Sequence, residues 1–233
     1  MLDKIKKIGL FIVLYLLFLF SSLFYLIPLE LLKIDYDTLS ITNQTLLSLF
    51  SSLVMIIILI IIYRRDLKKD LKDFKDHYKE YLDLGLKCWI MGLVIMCASN
   101  LLIGLLTPVK EANNEVLVQE MLQTTPLLSF ISATFFAPFI EEMLFRKSLG
   151  DIYENNYIKI FMCALVFGSL HVIFSMTSAW DLLYILPYGA LGGAFAYILT
   201  KKNNILIPIT FHMLHNGIIT IISIIGYLLM VFK

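Results

Sequence analysis

Two adjacent carboxylates and an arginine stand near the end of an apolar run, in the stretch Ala-Pro-Phe-Ile-Glu-Glu-Met-Leu-Phe-Arg that ends at Arg146. Ionised groups in such surroundings cost several kcal/mol to desolvate unless they are paired or face water. On a helix, Glu142 and Arg146 share a face and can form an ion pair, whereas Glu141 is turned away by about 100°. We therefore predict that one carboxylate is held in a pair and that the other is left for chemistry.

Histidine and asparagine side chains occur in two later apolar runs. His171 follows Phe167 by four residues and Asn216 follows His212 by four, so each pair shares a helix face, and His215 is rotated from His212 by about 60°. A carboxylate as general base, an imidazole that shares the water, and a His–Asn pair that donates to a developing oxyanion suit hydrolysis of a peptide bond. Phe167 would form a wall of the cavity.

Each of these features also has a simpler explanation. A single histidine within a membrane often bonds a neighbouring helix, and a Glu–Arg pair often only stabilises a fold. Glu141, His171 and His212 could also bind a zinc ion, although the HExxH motif of zinc proteases is absent. The residues alone leave metal-free and metal-assisted hydrolysis open.

The composition indicates an integral membrane protein. Of the 233 residues, 59% are hydrophobic, and the mean hydropathy is +0.84. The apolar residues come in blocks of about 20, the length at which a helix crosses a hydrocarbon core of about 30 Å, and the blocks lack the alternation of a membrane β-barrel. We predict an all-α, polytopic membrane helical bundle of about seven transmembrane helices, forming a single integral membrane domain over residues 1–233. The net charge of +1 implies no nucleic-acid partner.

The boundaries of the spans follow from the apolar blocks and the polar junctions between them. The seven predicted spans are 8–29, 46–63, 84–107, 126 to about 147, 158–176, 180–200 and 205–233. Residues 64–83 hold seven Lys and Arg residues with apolar residues at spacings of three and four. This pattern predicts an amphipathic cytoplasmic connector that lies on anionic lipid, or equally a solvated helix whose apolar seam packs on the bundle.

Lys and Arg are abundant at every second junction. The positive-inside rule then places the N-terminus in the cytoplasm and the C-terminus outside, in a multi-pass protein of the cell membrane. In this orientation Glu141, His171 and His212 lie at overlapping depths of roughly 8 to 20 Å from the cytoplasmic side, so a shared buried cavity is feasible. The richness in Ile, Lys and Asn indicates a bacterial source.

Three motifs carry a resemblance to a known family. Glu141-Glu142-Met-Leu-Phe-Arg146 fits EExxxR, Phe167-Gly-Ser-Leu-His171 fits FxxxH, and His212-Met-Leu-His-Asn216 fits HxxxN, in that order along the chain. The chain resembles the CPBP family of intramembrane proteases, also called the Abi or CAAX-protease-and-bacteriocin-processing family. The resemblance implies a catalytic core of four helices, which we place at residues 124–231.

The resemblance also implies roles for the motif residues. Glu141 would activate water, His171 would share that water, and His212 with Asn216 would form the oxyanion side, while the second Glu and the Arg of the first motif would be structural or orienting. The family is often labelled as metalloproteases, yet its best-understood members resemble glutamate-dependent enzymes without a tightly bound metal. We therefore expect no firmly bound cofactor and keep a divalent metal such as zinc as the alternative.

The substrate is less defined than the chemistry. A bacterial member of this length is expected to process a bacteriocin or signalling-peptide precursor that arrives from within the cell, or a membrane protein. The expected partners are such a peptide or protein and the lipid bilayer. The main alternative is a non-enzymatic bacteriocin self-immunity or scaffold protein, with a proton-coupled carrier ranked lower. The sequence does not indicate an oligomeric state.

Overall fold

The chain is helical throughout, with no strand among the residues that the computed structural model describes, 2–109 and 111–231. The helices are α1 (Leu2–Leu19), α2 (Leu23–Leu31), α3 (Ile41–Leu106), α4 (Asn113–Thr124), α5 (Pro126–Ile131), α6 (Ala137–Glu141), α7 (Asn156–Ile173), α8 (Ile185–Lys202) and α9 (Leu206–Val231). Short 3₁₀ or π turns extend α5 and α6 into one helical run, Pro126–Ile152, and α8 into another, Ala179–Lys202. The predicted all-α membrane bundle is confirmed.

The number of spans depends on how α3 is divided. Within the described residues, five helical runs are long and apolar enough to cross a membrane when α3 is counted once, and the bent pair α1–α2 makes a sixth. The predicted second and third spans both lie in the 66 residues of α3, which joins two helices across a kink, so the predicted count of seven is approximate. Its backbone leaves the helical region only at Tyr63 and His77, near the start and within the second half of the predicted connector.

The connector 64–83 packs partly against the bundle. Tyr81 is buried, and Leu67 and Phe74 pack on the hydrophobic clusters, whereas Leu71 and Tyr78 are exposed. Polar bonds also fix its middle to the start of α9. The Asn204 amide donates to the Asp70 carbonyl oxygen at 2.8 Å and the Ile205 amide donates to the Asp70 carboxylate at 3.0 Å. An apolar seam against the bundle is therefore present.

The predicted first span, 8–29, is not one straight helix. The axes of α1 and α2 differ by 51° across a break that contains Ser21 and Ser22. The Ser21 carbonyl oxygen accepts a hydrogen bond at 2.8 Å from the hydroxyl of Ser51 on α3. The same oxygen also accepts from the Phe24 backbone N–H at 3.0 Å, three residues ahead, so the ladder has 3₁₀ rather than α spacing at the break.

Glycine allows α7 and α8 to pack backbone against backbone. A Cβ added to Gly168 would lie 2.5 Å from the Ile185 carbonyl oxygen, and one added to Gly189 would lie 3.3 Å from the Ala164 carbonyl oxygen. Small residues at such positions are the usual way in which membrane helices approach closely. This contact holds the end of α7, which carries His171, against α8.

Gly168→Ala is expected to destabilise the protein by about 1 to 3 kcal/mol, because the added methyl group meets a backbone oxygen that cannot move aside cheaply. Thermal unfolding of the protein in detergent measures the change. The matched control is Gly226→Ala in α9, where an added Cβ meets no atom within 4 Å. Equal melting temperatures for the two variants would show that the α7–α8 contact is looser than described.

Candidate active site

The three motifs meet around one cavity of about 650 Å³ inside the bundle. The run Pro126–Ile152 contributes Glu141, α7 contributes Phe167 and His171, and α9 contributes His212 and Asn216. Further lining comes from α3, α4 and α8, with Met96, Asn100, Glu115, Tyr188 and Phe195 among the residues. The spatial convergence expected from the sequence is therefore present in the fold, although contact alone does not assign a catalytic role to any residue.

Irregular helix geometry positions the two glutamates. Pro138 has no backbone N–H and its ring crowds the carbonyl four residues earlier, so a regular α-helical ladder cannot continue through it. The structure has a π-helical turn just before it, at Ser132–Phe136, and a second at Glu142–Ser148. The thiol of Cys163 on α7 donates to the Phe145 carbonyl oxygen at 2.9 Å. Such π segments often occur at functional sites.

Glu142 is the carboxylate that is held in a pair. It is completely buried, and its Oε1 lies 3.2 Å from Nη1 of Arg146, which is also completely buried. The guanidinium lies over the ring of Phe167, with its carbon 4.0 Å from the ring centroid. The ion pair predicted from the four-residue spacing is therefore present, and Phe167 supports the arginine rather than only lining the cavity.

His212 lies between the two glutamates. Its Nδ1 is 2.7 Å from Glu142 Oε1, and its Nε2 is 3.6 Å from Glu141 Oε2. A carboxylate paired with arginine can only accept, so Nδ1 carries the proton and Nε2 faces Glu141. A separation above 3.5 Å is longer than a direct hydrogen bond and suits a shared water or proton. Glu141 keeps some exposure, 16% of its side chain, towards the cavity.

His171 is held in one orientation by its own helix. Its Nδ1 lies 2.9 Å from the Phe167 carbonyl oxygen. Because a carbonyl only accepts, Nδ1 carries the proton, and the lone pair of Nε2 is left for a ligand in the cavity. The ring lies between Tyr188, stacked at 4.6 Å, and Phe167, at 4.3 Å between centroids. This arrangement gives the imidazole little freedom to turn.

Asn216 is partly engaged before any ligand binds. Its side-chain Nδ2 donates to the Ala133 carbonyl oxygen at 2.9 Å. Ala133 belongs to the π-helical turn that precedes the glutamates, so this bond connects α9 to the run that carries Glu141. An amide nitrogen has two hydrogens, and one of them remains available for a developing oxyanion.

Comparison with known proteins agrees with this geometry. Residues 123–218 match the family model described as "Type II CAAX prenyl endopeptidase Rce1-like". The match covers less than half of the chain and supports its resemblance to the CPBP family of membrane proteases. The three motifs between Glu141 and Asn216 all fall within the matched residues, which confirms the resemblance drawn from them.

Two curated bacterial proteins are similar to this chain. "Putative membrane peptidase YdiL" of Bacillus subtilis (strain 168) is 26% identical over an alignment that covers 94% of this chain and 90% of the relative. "UPF0177 protein YxdF" of Lactococcus lactis subsp. lactis (strain IL1403) is 27% identical, covering 66% of this chain and 82% of the relative. No solved structure matches the chain.

Trp89 is a neighbour of the candidate site that sequence reasoning missed. Its indole Nε1 donates to Nδ1 of His215 at 3.3 Å, from α3 to α9. Because an indole N–H only donates, Nδ1 of His215 accepts, and its Nε2 carries the proton in the buried wall of the cavity. The two residues are 126 positions apart. A lone tryptophan in an apolar run offers no spacing by which this pairing could be found.

The candidate ligands of a metal site are Glu141, His171 and His212. Nδ1 of His212 is bonded to Glu142 and Nδ1 of His171 to its own helix, so Nε2 of each ring is left for the cavity, as in metal-binding histidines. Over residues 2–109 and 111–231, however, no group of three or more His, Cys, Asp or Glu side chains could hold a metal ion. The side chains in this arrangement therefore do not fit a metal ion.

The rim of the cavity is polar and acidic. Glu111 and Glu115 of the α4 region line it, with Asn114, whose amide donates to the Tyr188 hydroxyl at 3.4 Å. Burial raises the pKa of the Glu115 carboxyl, while a hydrogen bond from Gln119 lowers it and the charge of Glu111 raises it. Among residues 2–109 and 111–231, neither Lys nor Arg lines this cavity.

Proposed function

We propose that this chain is an intramembrane endopeptidase that hydrolyses a peptide bond with a water activated by Glu141. The observation that carries the proposal is the position of His212 between a paired carboxylate, Glu142, and a carboxylate that faces the cavity, Glu141. The match of residues 123–218 to a CAAX prenyl endopeptidase family model supports peptide-bond hydrolysis, and the geometry supports the roles of individual residues.

The first half of the reaction forms the bond between water and the peptide carbonyl carbon. Glu141 takes a proton from the water as general base, and the lone pair of His171 Nε2 accepts a hydrogen bond from the same water and orients it. Before the substrate binds, His212 takes a second proton at Nε2 from bulk water and keeps it through the reaction, and the charge of this imidazolium is balanced by Glu142 at Nδ1. Its Nε2–H and the free N–H of Asn216 then donate to the oxyanion.

The second half breaks the carbon–nitrogen bond. Glu141, now protonated, passes its proton to the departing amine nitrogen, so the carboxylate returns to its starting state. Glu142 and Arg146 do not touch the substrate in this scheme. They act through His212, because the buried pair fixes which ring nitrogen faces the cavity, much as a buried acid orients the histidine of a hydrolytic triad.

The substrate class that fits a chain of this kind is a peptide precursor or a membrane protein. A bacteriocin or signalling-peptide precursor is the form that we propose first, as expected from the sequence. A comparison of membrane-bound and released peptides between cells with the native chain and cells with Glu141→Gln tests catalysis and reports the substrate at once. We expect at least one uncleaved precursor to accumulate in the variant. Identical peptide profiles at equal protein levels would contradict the proposal.

Hydrolysis by the purified protein is expected to persist after prolonged incubation with EDTA, because no group of three or more His, Cys, Asp or Glu side chains among the described residues could hold a metal ion. The measurement compares initial rates of cleavage of the precursor before and after chelation and dialysis. A zinc protease assayed in the same buffer serves as the control for effective chelation. Loss of activity followed by its return on addition of zinc would overturn the metal-free mechanism.

A further inference from the structure

The bundle has two polar faces that side-chain contacts define. We call the first the basic face, formed by residues 64–83, 147–156 and 200–204. Lys147 on it lies 2.8 Å from Asp66, Lys202 pairs with Glu80, and the Asn204 amide donates to the Asp73 carboxylate at 2.9 Å. These segments are far apart in the chain, so their contacts place the polar ends of several helices at one side of the bundle.

The second face is formed by residues 41–45, 111–125 and 174–184, and we call it the rim face. The hydroxyls of Thr45 and Thr125 lie 3.4 Å apart, and the Asn113 amide donates to the Asp181 carboxylate at 3.2 Å. Residues 111–125 and 174–184 contain no Lys or Arg, whereas residues 64–83 alone contain seven. By the positive-inside rule, the basic face is cytoplasmic and the rim face lies outside.

The cavity extends from the proposed catalytic residues towards the rim face. At its deep end, Phe195 and His212 are buried. At the other end, Glu111, Asn100 and Met121 line the cavity and are exposed. No residue of the basic face is among those that line it. Depth in the membrane and the side of access are therefore separate properties of this site.

We infer that the cavity opens on the extracytoplasmic side of the membrane, so that the peptide bond reaching Glu141 belongs to a segment at the outer membrane surface. The class of substrate is then an exported peptide or an outward-facing segment of a membrane protein. This differs from the expectation, based on depth alone, that precursors arrive from within the cell. The inferred side of access adds a substrate class to the proposed function. It rests on the proposed function only where the entering segment is called a substrate.

Labelling of single cysteines with a membrane-impermeant maleimide tests the side of access without any substrate. The background chain carries Cys97→Ser, because Cys97 is exposed, while Cys88 and Cys163 are buried and set the baseline signal. Ser132→Cys reports the cavity interior and Glu111→Cys reports its rim. Asp76→Cys, at an exposed site on the basic face, is the matched control.

The reagent is added to intact cells, or to protoplasts if a cell wall blocks it. We expect the labelled fraction of both cavity cysteines to be at least about tenfold above background. Asp76→Cys is expected to react only after permeabilisation. Labelling of the cavity cysteines only after permeabilisation, or no labelling of Ser132→Cys in either state, would overturn the inference. Failure of the proposed function would appear instead as unchanged hydrolysis by Glu141→Gln, with labelling unaffected.

Discussion

Glu141→Gln is expected to lower the rate of peptide hydrolysis by about 10³-fold, within the range by which a positioned general base accelerates a reaction. The amide that replaces the carboxylate cannot take the proton from water, yet it has nearly the same shape. Glu141 shares no direct hydrogen bond with His212 at 3.6 Å, so the fold should be retained. The measurement is the initial rate of cleavage of the accumulated precursor by purified protein.

The matched control for this variant is Glu120→Gln. Glu120 is exposed on α4 and is not among the residues that line the cavity, so the same chemical change should leave the rate unaltered. Thermal unfolding of both variants checks that neither has lost its structure. A rate for Glu141→Gln within about threefold of the native rate would contradict this role. Such a variant would have lost less than about 1 kcal/mol of transition-state stabilisation, so another group would have to activate the water.

Arg146→Met is expected to destabilise the protein by about 3 to 5 kcal/mol, the usual result of leaving one partner of a buried ion pair alone. Glu142 would then be fully buried with His212 as its remaining partner. The stacking of the guanidinium on Phe167 would also be lost, so Arg146→Lys should recover only part of the stability. Thermal unfolding in detergent measures the change, with exposed Arg64→Met as the control.

Replacing both partners separates stability from orientation. The double variant Glu142→Leu/Arg146→Leu is expected to regain much of the lost stability, because a buried ion pair can be replaced by apolar groups at little cost. Its hydrolysis rate should nevertheless remain low, since nothing then fixes the proton on Nδ1 of His212. A double variant that is stable and fully active would show that the pair has no role in orienting this histidine.

The site could be predicted from sequence because it rests on local spacing. Four residues between Glu142 and Arg146 place the two side chains on one face whatever surrounds the helix, and the same spacing relates His212 to Asn216. The order of the three motifs on separate helices then led to the family. Such relations depend on helix geometry alone, so tertiary packing does not alter them.

The helical path through residues 64–83 could not be predicted in detail, since a basic stretch marks an interruption between spans but does not show where the backbone bends. Charged residues are excluded from hydrocarbon but are good helix formers, so the stretch is helical and the two helices joined in α3 are separated by kinks at Tyr63 and His77. The bend between α1 and α2 coincides with a hydrogen bond from Ser51, and the Trp89–His215 bond joins residues of different helices. These contacts are tertiary and leave no periodic signal in the chain.

The direction in which the cavity opens was likewise beyond the sequence. Counting residues from the basic junctions gives the depth of Glu141 and the histidines in the membrane. It does not show at which side of the membrane the helix ends are separated widely enough to open the cavity. The direction depends on the short helix α4 and on Glu111 just before it. Glu111, Glu115 and Met121 border the cavity, and no apolar block in the sequence indicates a helix there.

The most direct test of the central claim is a double-mutant cycle on Glu141 and His171. If both side chains act on one water in the cavity, Glu141→Gln/His171→Ala should hydrolyse the precursor about as slowly as the slower single variant, because residues that act as a unit are far from additive. Rate losses that multiply in the double variant, measured on protein with native thermal stability, would contradict a shared water at this site.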